Sequence, residues 1–167
     1  MRFPQWFFIA LTLFPGFVSA VSGHWKDNGN QTLTDTVTGL IWTQNDNRRD
    51  INWDDAKRYC DTLRLAGYHW RLPEIDELQA MHILSRTDST TPCSRENPCK
   101  VSALFHLTSD EFWSATPSTN DPVDGRARAW FFEFEYGYRS QNEASNSPDE
   151  RALCVTGKYK AVPGLGI

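Results

Sequence analysis

The sequence predicts an α+β domain. Two amphipathic helical segments stand in the first half of the chain, and short runs rich in β-branched and aromatic residues lie before and after them. An even count of cysteines, in a chain that opens like an exported protein, adds covalent ties between the two kinds of element.

The opening MRFPQWFFIALTLFPGFVSA carries positive charge at Arg2, an apolar stretch from Trp6 to Phe14, and small residues at Val18, Ser19 and Ala20. That order is a signal peptide over residues 1–20, cleaved after Ala20. Its apolar core is too short for a comfortable bilayer span and is broken at Pro15-Gly16. No cysteine lies near the cut, so no lipid-modified end is expected, and no second apolar run follows. Stable membrane insertion after cleavage is therefore not expected, and the location is periplasmic or secreted.

Cleavage leaves about 147 residues, the size of one domain with one proper core. Loss of Arg2 takes the formal charge from −4 to −5, a poor balance for general binding of nucleic acid or anionic membrane.

"NQTLTDTVTGLIWTQND" reads as strands Gln31–Thr34 and Leu40–Gln44 with a turn through Asp35 and Gly39. In "NWDDAKRYCDTLRLAGY", Ala56, Tyr59, Cys60 and Leu63 recur at helical spacing. Asn52 can cap that helix, Asp54 and Asp55 suit its first turn, and Gly67 is placed to end it. In "HWRLPEIDELQAM", Pro73 suits a first helical position and Ile75, Leu78 and Met81 form an inward stripe. Glu74, Asp76 and Glu77 then meet the positive end of the helix dipole, so three carboxylates in four positions read as a helix start rather than a reaction centre. Glu77 is also the natural partner for Arg71.

Residues 85–111, rich in Ser, Thr, Pro and Asp, read as a long surface loop. Strand-like runs follow at 112–116, 128–135, 138–141 and 152–156, with Phe132 and Phe134 on one face and Glu133 and Glu135 on the other. A domain over 25–158 and a short tail over 159–167 complete the division.

Four cysteines allow three pairings. Cys93 and Cys99 flank a turn-forming stretch and pair most simply with each other, which leaves Cys60 with Cys154. No C-x-x-C pair is present, so zinc is not expected.

"TLTDTVTGLIWTQ", "NWDDAKRYCDTLRLAGYHWRLPEIDEL", "FWSAT", "AWFFEF" and "RALCV", in that order, resemble the Lcl C-terminal domain family, a bacterial family named after a collagen-like adhesin. The resemblance covers about residues 25 to 156. It implies a C-type-lectin-like fold: two helices packed on short antiparallel sheets, with long loops and two disulfides. Trp42, Trp53, Trp70, Arg71, Leu72, Pro73, Glu77, Leu78 and Trp113 are its motif positions, and their physical reading is structural. It also implies adhesion through glycosaminoglycans or other acidic polysaccharides, as in the founding adhesin. Collagen-like repeats are absent, so the avidity of a trimeric stalk is absent too.

His24, His69, His82 and His106 have no metal-ligand spacing and read as surface or half-buried histidines. No nucleophile signature is present, so neither enzymatic activity nor a cofactor is expected. Asp121 and Asp124 offer oxygens to a cation, although Asp-Pro and Asp-Gly are also ordinary turn formers. The candidates for ligand binding are Arg126, Arg128, Tyr136, Tyr138 and Arg139, around one predicted hairpin. Tyrosine rings can stack on sugar faces, and arginine forks can hold carboxylate or sulfate. The expected partner is a glycan, acidic polysaccharide included, or else an envelope or extracellular protein held by an assembly component.

Overall fold

The computed structural model describes residues 23–85, 91–93, 98–118, 125–146 and 149–165. The expected signal peptide and the Asp121/Asp124 loop lie outside the described residues.

The fold is α+β. Strands β1 (Trp25–Asp27), β2 (Thr32–Asp35) and β3 (Ile41–Thr43) precede helices α1 (Trp53–Thr62) and α2 (Ile75–Leu84). Then come β4 (Thr91–Pro92), β5 (Pro98–Cys99), β6 (Glu111–Pro117), β7 (Arg128–Glu133), β8 (Tyr138–Glu143) and β9 (Val155–Thr156). The sheets have orders β1-β2-β3-β9, β4-β5 and β6-β7-β8, and the pairs within them are antiparallel.

The predicted hairpin is β2–β3, with Leu33 opposite Trp42. Its turn closes because the Asp35 carboxylate accepts from the backbone N–H groups of Val37 and Thr38 and from the Thr38 hydroxyl, while Gly39 supplies a φ of +77°. β1 adds a strand that the sequence reading did not contain.

α1 begins as expected, with Asn52 Oδ1 accepting from Asp55 N at 2.9 Å, and it buries Ala56 and Cys60. Its end differs. Leu63 turns to extended backbone and its N–H returns to Cys60 O, so the helix stops before Gly67, which instead closes the next turn at φ +76°.

α2 starts two positions later than Pro73 suggests. Glu74 is its N-cap, in a capping box with Glu77, and Pro73 lies just outside. The helix buries more than a stripe: Ala80 and His82 are enclosed beside Ile75, Leu78 and Met81. His82 therefore departs from the surface or half-buried expectation. It sits against the rings of Phe132 and Phe134, at centroid distances of 5.5 and 6.1 Å.

The three-stranded sheet is covered on both faces. Phe112, Phe132 and Phe134 join a core with Leu33, Trp42, Leu78, Met81 and Leu153. Trp113, Ala129 and Phe131 join the second, with Ala56, Cys60, Trp70 and Leu72. This two-sided burial explains the imperfect alternation of "RAWFFEFE". Glu133, on the face opposite Phe132, is therefore buried too, at 2% exposed.

The stretch read as a surface loop contributes to the core as well: Val101, Phe105 and Leu107 are buried. The last predicted strand shortens to β9, because Ala152 N and Cys154 N bond to the side chains of Asn47 and Thr43 instead of to a ladder. The expected tail starts attached to the domain, with Tyr159 packed on the core and Lys160 N bonded to Thr38 O at 3.1 Å.

Both expected disulfides form. Cys60–Cys154 joins α1 to the segment before β9 across 94 residues, and Cys93–Cys99 staples β4 to β5, with Cα separations of 5.5 and 5.3 Å. No helix among the described residues is long and apolar enough to cross a membrane.

Candidate functional site

The motif residues build the frame. Trp42, Trp70 and Trp113 are buried, and the Trp113 indole N–H donates to Ile51 O at 2.7 Å. Trp53 is half-buried, donates to Ser114 O at 2.7 Å, and has the Lys57 ammonium 3.3 Å from its ring centroid. Arg71 forms the expected pair with Glu77. Its guanidinium also gains from this hydrogen bonding, which raises its already high pKa. The Arg71 backbone exchanges two hydrogen bonds with Val155 and so binds the Trp-Arg-Leu-Pro step to β9.

The five ligand-binding candidates do not form one patch. Arg128 faces Glu143 at the open end of the β7–β8 hairpin, and Tyr138 faces Glu133 at its turn end. Five residue steps along β7 separate these ends by about 17 Å. At the open end Arg126 is paired with Glu143 at 2.7 Å. Arg139 turns toward α2, bonding to the Gln79 side chain and to Asp76 Oδ1, the latter at 2.6 Å. Arg126 and Arg139 are thus engaged by carboxylates of the chain itself.

Tyr136 and Tyr138 stand at the turn end, 69% and 48% exposed. Their rings are stacked, with centroids 6.4 Å apart and planes 14° from parallel. Gly137 between them takes a φ of +79°, a conformation that glycine supplies without strain. A Cβ at Gly137 would fall 2.2 Å from His82 Cε1, so the missing side chain also lets the turn rest on α2. A hydrogen bond with Glu135 pushes the Tyr136 phenol above its usual range. Burial and the carboxylates of Glu133, Glu111 and Asp110 do the same to Tyr138.

Beside the tyrosines lie Asp110, Glu133 and Glu135, with carboxylate oxygens within 4.8 Å of one another. Glu133 accepts from the backbone N–H groups of Glu135 and Tyr136 at 2.6 and 2.8 Å. Burial is the main reason its carboxyl is pushed up. Oxygen ligands at this spacing suit a hard cation better than a thiophilic one. The sequence reading did not include this cluster. Its members come from the end of the long loop and from the hairpin, and no local spacing joins them.

The described residues thus form an α+β domain that carries an exposed aromatic pair at a hairpin turn. The family model of the Lcl C-terminal domain matches residues 31–156. The chain belongs to this family. No curated protein matches it.

Proposed function

We propose that this chain is an exported recognition domain without enzymatic activity, and that it binds a glycan through the turn end of the β7–β8 hairpin. The stacked, exposed pair of Tyr136 and Tyr138 beside Asp110, Glu133 and Glu135 carries the reading. Aromatic faces gain from contact with the C–H faces of sugar rings, and carboxylates accept from sugar hydroxyls. The same negative charge repels sulfate and carboxylate groups, so a neutral glycan fits this end better than an acidic polysaccharide. Export is supported by the signal-like first twenty residues and by two disulfides, which persist in oxidising compartments.

The carboxylates also favour a second ligand class: a basic segment of an envelope protein, whose lysines and arginines would meet both the charge and the tyrosine faces. A glycan array and a panel of basic peptides, probed with residues 21–167 at two salt concentrations, separate the two. Binding of neutral glycans that is insensitive to salt and lost in Tyr136→Ala and Tyr138→Ala supports the glycan reading. Salt-sensitive binding of basic peptides alone overturns it in favour of the protein partner.

A further inference from the structure

β6 and β8 are the two edges of their sheet, and only β6 is covered. Phe112 of β6 bridges Arg151, with Arg151 N donating to Glu111 O and Trp113 N donating to Arg151 O, each at 3.0 Å. In the other sheet, the edge strand β9 is covered in the same way by its bridge to Arg71. Among the described residues, no strand or bridge lies beyond β8.

The hydrogen-bond phase of the β7–β8 hairpin decides which backbone groups of that edge are open. Ala144 N donates to Ala127 O, and Gly137 N donates to Glu133 O. In an antiparallel ladder the bonded pairs alternate, so Ala129 with Asn142, Phe131 with Ser140 and Glu133 with Tyr138 exchange bonds. Arg139, Gln141 and Glu143 therefore turn their N–H and C=O groups away from β7. Asn142 Oδ1 accepts from Glu143 N at 2.8 Å, and Glu143 O accepts from Asn146 N at 3.0 Å. The backbone groups of Arg139 and Gln141 have no such partner among the described residues. β8 is six residues long, contains no proline and pairs with β7 without a bulge. An even, open edge of this kind is a template for another strand.

The order Tyr-Arg-Ser-Gln-Asn-Glu makes β8 complementary to itself. An antiparallel copy centred on Gln141 sets Arg139 opposite Glu143 twice, and it brings the outward N–H and C=O groups into bonded pairs. Centring the pairing on Arg139 or on Glu143 would instead set like charges opposite one another, which destabilises a sheet. Arg139 is already held by Asp76 and Glu143 by Arg126, at 2.6 and 2.7 Å. Across the joint, Asp76, Arg139, Glu143 and Arg126 would then form a row of alternating sign.

We propose that β8 is a docking edge for a second copy of this chain, joining two three-stranded sheets about a two-fold axis through Gln141. Gln141 exchanges backbone bonds with Gln141 of the second copy, and Arg139 N–H donates to Glu143 O of the second copy. The contact is isologous and closes on itself as a dimer. A single strand pair is a small interface, so the dimer is weak, with a Kd in the micromolar range. The two tyrosine turns point in opposite directions along the joined strands and stay open to ligand.

Sedimentation velocity and residue-resolved amide hydrogen exchange on the full chain, run from low to high micromolar concentration, test this. The expected result is a monomer–dimer equilibrium that added salt weakens. The amides of Arg139 and Gln141 should gain protection as concentration rises, while those of Ser140 and Asn142, already bonded to β7, should not change. Gln141→Pro deletes an outward N–H and leaves the β7 ladder intact, so it should raise the Kd at least about tenfold. Arg139→Glu should weaken the dimer as well, and Arg139→Glu/Glu143→Arg should restore it by reversing the pair. A chain that is monomeric at every concentration overturns the proposal. So does a dimer in which the Arg139 and Gln141 amides exchange as in the monomer, or one indifferent to Gln141→Pro. Failure of the double reversal to restore affinity overturns the register centred on Gln141. If near-ultraviolet circular dichroism shows that Gln141→Pro does not fold, the exchange measured on the native chain decides.

Discussion

Arg71 grips Glu77 with both terminal nitrogens, Nη1 to Oε2 at 2.7 Å and Nη2 to Oε1 at 2.6 Å. The same Oε2 accepts from Glu74 N at 2.8 Å, so one buried carboxylate starts α2 and ties it to the strand-like step that bonds to β9. Its position among the three acids of "PEIDEL" makes it the one that faces inward.

Arg71→Met leaves the Glu77 carboxylate buried without its cation. Unfolding in urea should show a loss of about 3 kcal/mol. An Arg71→Met loss below about 1 kcal/mol would place the pair among ordinary surface contacts.

Gly137→Ala combines a positive φ with a Cβ on top of the His82 ring. It should cost about 2 kcal/mol or more. In a double-mutant cycle, His82→Ala should recover part of that cost by vacating the space. Strict additivity would show that the turn does not rest on His82.

The two disulfides should differ in value. Chain entropy alone assigns about 4 to 5 kcal/mol to the loop closed by Cys60–Cys154 and about 2 kcal/mol to the short loop closed by Cys93–Cys99. Thermal unfolding of Cys60→Ala/Cys154→Ala and Cys93→Ala/Cys99→Ala pairs should rank them in that order. The reverse order would mean that the short staple, next to the buried Val101 and Phe105, organises more of the core than its loop length implies.

Arg139→Ala removes bonds from β8 to Asp76 and Gln79 on an exposed flank of α2. Its stability cost should stay below about 1 kcal/mol. Glycan binding at the tyrosine end should persist. A variant that folds normally yet loses binding would return Arg139 to the contact surface.

Much of the frame was legible in the residues. Asn52, Ala56 and Cys60 announce α1 by cap and period, Asp35 and Gly39 announce the β2–β3 turn, and Arg71 with Glu77 announces the start of α2. Each of these is a local signal carried within a few positions. The candidate site was legible only in its residue types. Tyr136, Tyr138 and Arg139 lie within four positions, yet strand pairing and packing on α2 leave the tyrosines exposed and draw Arg139 toward the helix.

By itself the sequence determined the α+β class, both helices and the simplest disulfide pairing, because periodicity, capping and cysteine placement act over short range or through few alternatives. Only the tertiary structure decided that Glu133 and His82 are buried, that Arg126 and Arg128 lie at the opposite end of a hairpin from the tyrosines, and that Arg139 is drawn toward α2. Those outcomes depend on which faces of a sheet are covered and on the register between distant segments, and no window of sequence contains either.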